Sequence, residues 1–386
     1  MSKIICLFIS IIFISTIFAQ KQAVLVENGT ARYTISIAAH PTAAEEKAAN
    51  LLQSSIKKMT GSGLKIVRTD KPTAKNTLLI TPSVKSLEKG FLTHKNKDFQ
   101  AKSSQLVEDG FLISVQSDNI VLLSGGKKGA IYGVVHLLEK YFGCRNYAPD
   151  AAVFPSKKTL ALPIMLEMDK PANIIRIVNG VMTQDNADYR DWQRLNNHVD
   201  EFAKGYYVHT FNRLVPWETF FEPHPEYFAL MKGKRIIDQL CLTNPDVYDL
   251  TIKKLKEEMA KQPNQKLWSV SQGDNFSYCQ CDKCAKIIAD EGSAAGPIIY
   301  FVNRVAAEFP DKIISTLAYQ YSRKAPKIVK PADNVQIMLC TIELSRSKPI
   351  EEDPLSKSFL TDITDWGKIS KNIYLWDYTV NFSHHI

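Results

Sequence analysis

Two rhythms of apolar and polar positions run along the chain. In the first, from about residue 23 to 162, Tyr33-Thr34-Ile35-Ser36-Ile37-Ala38 alternates with period two, the mark of a half-buried strand. After Pro41 and Thr42, apolar Ala48, Leu51, Leu52 and Ile56 recur at helical spacing, which predicts a helix over Ala43–Met59 stopped by Gly61. Leu64–Val67 and Leu78–Ile80 read as further strands. Phe111–Val115 and Ile120–Leu123 flank Ser117-Asp118-Asn119, a hairpin signal. Ile131, Val134, Val135, Leu138 and Phe142 predict a second helix over Lys127–Tyr141, closed by Gly143. The order β-α-β-β-β-β-α predicts an α+β domain with two helices on one face of a sheet. Gly125-Gly126-Lys127-Lys128-Gly129 lacks the spacing of a phosphate-binding loop, so it reads as a tight turn into that helix.

Beyond Pro163 the rhythm becomes strand-then-helix. Near-continuous apolar strands are expected at Ile174–Val178, Tyr206–Phe211, Leu240–Thr243, Leu267–Val270, Ile313–Ala318, Val335–Leu339 and Ile373–Trp376. Helical patterns at Tyr189–Val199, Asp246–Ala260, Ile298–Phe309 and Ser356–Ile369 separate several of them. Repeated βα units of this kind predict a parallel sheet, and seven in a row predict a β/α barrel of the TIM type. The sequence reaches Ile386 just after the seventh strand, so the expectation is a barrel truncated there, the N-terminal part of a longer protein, or one that closes unusually. The predicted organisation is a signal segment over 1–19, an α+β domain over 20–165 and the barrel over 166–386.

Composition narrows the function classes. Hydrophobic content of 45% and charged content of 23% describe an ordinary globular chain. The net charge of +8 is scattered, without an arginine block or a basic-aromatic pattern, which argues against a nucleic-acid partner. Lys3, the apolar run Ile4–Phe18 and the small Ala19 form an export signal; an uncleaved anchor is the other reading. The run is short for a bilayer span and no later segment approaches twenty apolar residues, so no stable membrane span is expected. The working place is then periplasmic, cell-surface or extracellular.

In a barrel, the polar residues just beyond the strand ends share one rim. They are His209 and Asn212, Asn244 beside Cys241, Asp274 and Asn275, Tyr319 and Gln320, Glu343, and Asp377 with Tyr378. Carboxylates converging from different strands fit glycosidic bond cleavage: one carboxyl protonates the leaving oxygen, another acts as base or nucleophile. The catalytic candidates are Asp274 as acid and Glu343 and Asp377 as bases, the other reading of each being a rim salt bridge or helix cap. Aromatic Trp217, Tyr319, Trp376 and Tyr378 offer stacking faces for sugar rings, with His209, His224 and Asn275 as polar contacts; Trp268, inside a strand, reads as core. His224-Pro225-Glu226 reads equally well as a pocket lining and as a helix start.

The thiols are denser than packing requires. Cys279-Gln280-Cys281-Asp282-Lys283-Cys284 follows the Asp274 loop, and Cys241 ends the preceding predicted strand. Three readings stay open: a closed, structural tetrahedral zinc, two disulfides, or free buried thiols. An all-thiolate zinc keeps no open position, so a catalytic metal is not expected, nor is an organic cofactor.

The residues also carry a family resemblance. The stretch from Gly129 to Pro149 resembles the end of the small α/β domain that precedes the barrel in family 20 hexosaminidases and family 67 α-glucuronidases. His224-Pro-Glu-Tyr-Phe, Gln239-Leu-Cys-Leu-Thr-Asn-Pro245, Ser269–Asp274 with the cysteine motif, and Trp376-Asp-Tyr378 together resemble a bacterial family of secreted proteins with a domain of unknown function, often labelled α-glucuronidase-like. The resemblance implies a glycosidase-type barrel acting on carbohydrate. Two departures matter. Family 20 enzymes carry an Asp-Glu pair where this chain has Asp274-Asn275, and family 67 enzymes have a glutamate acid where it has Asp274. The function expected is hydrolysis of O-glycosidic bonds. The rival is a glycan-binding barrel that does not cleave, and a lyase-like or sulfated-glycan protein would call for more basic residues at the strand ends.

Overall fold

The computed structural model describes residues 21–73, 75–87, 91 and 96–378. The expected signal segment lies outside the described residues. The chain divides into two compact units, Met1–Leu195 and Asn196–Ile386.

The first unit is built on a six-stranded sheet, in the order Met165–Asp169, Phe111–Val115, Asn119–Ser124, Thr77–Thr81, Thr34–Ile37, Lys65–Arg68. The last four run parallel, and the hairpin of Phe111–Val115 with Asn119–Ser124 is antiparallel. The unit is therefore mixed α/β, not the α+β arrangement expected. The cause is the helix Ala43–Thr60: it is a crossover between Thr34–Ile37 and Lys65–Arg68, and such a crossover makes the two strands parallel. That helix starts at a capping box, with Glu45 N–H donating to Thr42 Oγ1 (3.2 Å) and Thr42 N–H to Glu45 Oε2 (2.8 Å). It stops where Gly61 turns left-handed at φ 81°. The second helix, Gly129–His136, continues as a wider turn over Leu137–Tyr141, and both helices bury their apolar faces in one core. The glycine-rich turn before it is a packing device: a Cβ on Gly125 would sit 1.9 Å from the Val107 carbonyl oxygen.

The second unit contains a four-stranded parallel sheet in chain order: Leu267–Ser269, Ile313–Ala318, Val335–Cys340, Ile373–Trp376. The first three strands are largely buried and the fourth only partly, and Pro245–Lys261, Ala295–Glu308 and Lys357–Ile369 contribute to the same core, with Trp268 and Trp366 fully buried. Continuous apolar strands announce such a sheet because both faces are covered.

Three of the seven expected strands are not strands. Ile174–Val178 has no ladder, and Ile174 (80%) and Val178 (53%) are exposed. Tyr206–Phe211 does run beside Leu267–Val270: Ser269 N–H donates to the Tyr206 carbonyl, and Thr210 and Phe211 N–H both donate to the Ser271 carbonyl. It fails as a strand because His209 turns left-handed (φ 55°), which breaks the extended repeat. Leu240–Thr243 is a strand only at Leu240, the last residue of Lys234–Leu240, which forms an antiparallel hairpin with Phe228–Met231. Its two-residue loop, Lys232 (φ 48°) and Gly233 (φ 77°), is the left-handed turn that a twisted hairpin requires. The helix expected over Tyr189–Val199 is two short helices, Ala187–Trp192 and His198–Glu201.

Candidate functional site

Because the four strands are parallel, Ser269, Ala318, Cys340 and Trp376 end on one edge of the sheet. Asp274 follows the first end by five residues, Tyr319 and Gln320 follow the second, Thr341 and Glu343 the third, and Asp377 and Tyr378 the fourth.

Asp274 is the centre of this rim. Its Oδ1 accepts from the Tyr319 hydroxyl (3.0 Å) and from Gln320 Nε2 (3.3 Å). Gln320 reaches it from a left-handed backbone (φ 50°); His209 is also left-handed (φ 55°), its ring centroid 6.1 Å from that of Tyr319. Non-glycine residues held at positive φ are costly and gather at functional sites. The Gln272 carbonyl accepts from His209 Nδ1 (2.8 Å), which orients the ring. Burial, with the Asp274 hydrogen bond next, pushes the Tyr319 hydroxyl up to about 12. Tyr378 shares a hydrogen bond with Tyr319, and burial, then Cys340, holds its hydroxyl above the usual phenol range. Cys340 lies beneath, its thiol pushed up to about 12 by burial first and the Glu343 charge second. Trp376 stands beside Tyr378, ring centroids 6.1 Å apart.

The other two carboxylates on the rim are engaged. Glu343 Oε2 pairs with Arg323 NH1 at 2.9 Å, and Arg323 Nε also pairs with buried Asp362 Oδ2 at 2.6 Å. Burial works against the Arg323 charge, but the Glu343 hydrogen bond and the two carboxylate charges outweigh it and raise its pKa. Asp377 Oδ1 accepts from Thr341 Oγ1 at 2.6 Å and lies 3.5 Å from Arg346 NH2. Asn275 is occupied by structure: its Oδ1 accepts from Gln239 Nε2 (2.9 Å) and from the Ser277 N–H (3.0 Å). The exposed Trp217 caps to Asn212 through its backbone N–H. His224 stacks on Tyr227 (4.6 Å, 7°) and pairs with Glu226 at 3.2 Å, in front of the short turn Pro225–Tyr227.

Sequence reasoning missed Arg323, Thr341, Arg346 and Phe276. Phe276 is 72% exposed two residues after Asp274, and a bare aromatic at a strand-end loop is a signal that could have been used.

The four thiols come together. The sulfurs of Cys241, Cys279, Cys281 and Cys284 all lie within 4.8 Å of one another, and Cys241 and Cys281 are 3.7 Å apart. All are free thiols. Roughly 2.3 Å zinc–sulfur bonds at tetrahedral angles put sulfurs roughly 3.8 Å apart, so the set fits a small thiophilic ion. Cys241 follows the hairpin strand, Cys281 is the N-cap of the helix Asp282–Glu291, and Cys284 lies in its first turn. Leu230 N–H donates to Cys279 Sγ at 3.4 Å. Hydrogen bonds from Cys279 and Cys284 hold the Cys241 thiol far below the usual range, while the same contacts raise Cys279 and Cys284.

A family model described as a domain of unknown function, DUF4838, matches residues 146–386, more than half of the chain. The chain belongs to the DUF4838 family. The model of the glycosyl hydrolase family 67 N-terminus matches residues 22–137, as the Gly129–Pro149 resemblance implied. No curated protein matches this DUF4838 chain. Among solved structures it is similar to the Flavobacterium johnsoniae chitobiase FjGH20 (12% identity, TM-score 0.51, covering 93% of this chain and 57% of that one). CpGH84D (11%, 0.49, 93% and 58%) and the GH20 β-N-acetylhexosaminidase of Streptomyces coelicolor A3(2) (10%, 0.45, 93% and 72%) are further matches. At such identity the chitobiase likeness speaks for the fold alone. The chain spans less than two thirds of the chitobiase's length. Among the described residues, no helix is long and apolar enough to cross a membrane.

Proposed function

We propose that this DUF4838 chain forms the site-bearing part of an exported glycoside hydrolase built on a β/α barrel, with Asp274 as general acid. The observation that carries this reading is the hydrogen-bonded group Asp274–Tyr319–Gln320 at the carboxyl edge of a parallel sheet. Tyr319 and Gln320 engage only Oδ1, so Oδ2 is the atom that would pass a proton to a leaving glycosidic oxygen. Glu343, paired with Arg323, suits the role of base or nucleophile, and Asp377 is the alternative. Phe276, Trp376 and Tyr378 would supply stacking faces for sugar rings.

A second reading, a rim that holds glycan without cleaving it, is favoured by one observation: Glu343 and Asp377 each already have cationic or hydroxyl partners. Turnover on a panel of glycosides separates the two. With a cleaved substrate in hand, Asp274→Asn should lower kcat by about 10²-fold or more and change KM little, since general acids contribute about 10² to 10⁴. Unchanged kcat removes Asp274 from the acid role, and a glycan bound but never cleaved favours the second reading.

A further inference from the structure

We infer that Cys241, Cys279, Cys281 and Cys284 hold one zinc ion, and that this ion staples the hairpin Phe228–Leu240 to the Asp274 loop so that Gln239 can fix the loop's backbone. The staple and the clamp lie on the same two pieces of chain. On the hairpin strand, buried Gln239 stands two residues before Cys241. Its Oε1 accepts from Gly273 N–H (3.0 Å), and its Nε2 donates to the Gly273 carbonyl (3.0 Å) and to Asn275 Oδ1 (2.9 Å). One side chain thus grips the residues on both sides of Asp274. At the far end of the loop, Gln280 N–H donates to the Leu230 carbonyl (2.7 Å) and Gln280 Oε1 accepts from Lys232 N–H (3.1 Å). The thiols lie between these fastenings, three from the loop and its helix and one from the hairpin.

The four sulfurs, all within 4.8 Å of one another, pack in a small apolar cluster with Ala229, Leu230 and Ile236. One ion at their centre could take all four as ligands. Tetrahedral all-sulfur sets select zinc or iron. Zinc has no redox chemistry and is the ion that suits the oxidising compartment an export signal implies. The site is closed, so it serves structure, and its effect on chemistry passes through Gln239, a positioning residue. Only that last step rests on Asp274 as the acid.

Elemental analysis of the purified full chain should find about one zinc per chain. Chelation should lower Tm and raise amide exchange at Gly273 by about tenfold or more, and added zinc should reverse both. Cobalt replacing zinc should give the visible bands of a tetrahedral thiolate site. Cys281→Ser and Cys284→Ser should lose the ion. If these do not fold, Gln239→Leu keeps the inference testable: it removes the acceptor of the Gly273 N–H, so it should retain zinc yet raise exchange at Gly273. Two disulfides found among the four cysteines by mass spectrometry, stoichiometric iron, free thiols without metal, or Gly273 exchange indifferent to chelation would each overturn it. None of these readouts requires glycoside cleavage, so failure here is distinct from failure of the glycosidase reading.

Discussion

The Tyr319 hydroxyl donates to Asp274 Oδ1 over 3.0 Å, joining the loops that follow two adjacent strands of the parallel sheet. A neutral donor on a carboxylate is worth about 1.5–3 kcal/mol, so Tyr319→Phe should lower kcat on a cleaved glycoside by about tenfold or more. The same tyrosine has a pH signature. Its pKa is raised from 10.0 to about 12, so between those values the folded chain holds a proton that the unfolded chain has released. Its contribution to stability is complete below pH 10 and is lost as pH rises through about 12. Absorbance titration of wild type minus Tyr319→Phe should show one tyrosine ionising well above the ordinary phenol. A difference curve centred near pH 10 would remove Tyr319 from its buried, carboxylate-facing position.

Two glycines should respond to alanine for different reasons. At Gly125 a Cβ would meet the Val107 carbonyl oxygen at 1.9 Å, and backbone cannot yield as a side chain can. Gly125→Ala should cost about 3 kcal/mol, at the upper end of overpacking. Gly61 has nothing within 4 Å of that position but sits at φ 81°, so Gly61→Ala should cost only about 1 kcal/mol. Chemical denaturation of the two variants checks the order, and equal losses would contradict the steric account of Gly125.

What the sequence made legible follows from the range of the forces involved. The helix Ala43–Thr60 could be read because Thr42, Glu45 and Gly61 mark its ends locally. Leu267–Ser269, Ile313–Ala318 and Val335–Cys340 could be read because burial on both faces demands continuous apolar runs, whereas Ile373–Trp376 is apolar but only partly buried. The path of Tyr206–Phe211 could not, since its apolar pattern is that of a strand and only the left-handed turn at His209 diverts it. The helix Asp282–Glu291 was hidden because its first turn reads as a ligand motif. At the rim, Asp274, Tyr319 and Tyr378 could be proposed from their places after strand ends. Gln239 and Arg323 could not: their partners lie 34 and 39 residues away, and only the tertiary fold brings them together.

Arg323 is where the rim and the core share one charge. It pairs with Glu343 at the surface and with Asp362 inside, whose side chain is only 9% exposed. Burial pushes the Asp362 carboxyl above its usual range, against the pull of Arg323. Arg323→Met would leave Asp362 as an unpaired buried carboxylate, a loss of about 3–5 kcal/mol. With its counter-charge gone, that carboxyl would bind a proton more tightly folded than unfolded. The folded variant would then gain stability relative to the unfolded chain as pH falls toward the carboxylate range, so the deficit against wild type should be greatest at neutral pH and shrink on acidification. The double variant Arg323→Met with Asp362→Leu should recover most of the loss, because no buried charge remains. Urea unfolding at pH 7 and pH 5 measures all three species. If the single variant were as stable as wild type at pH 7, the Arg323–Asp362 pair would not be the electrostatic anchor of this rim.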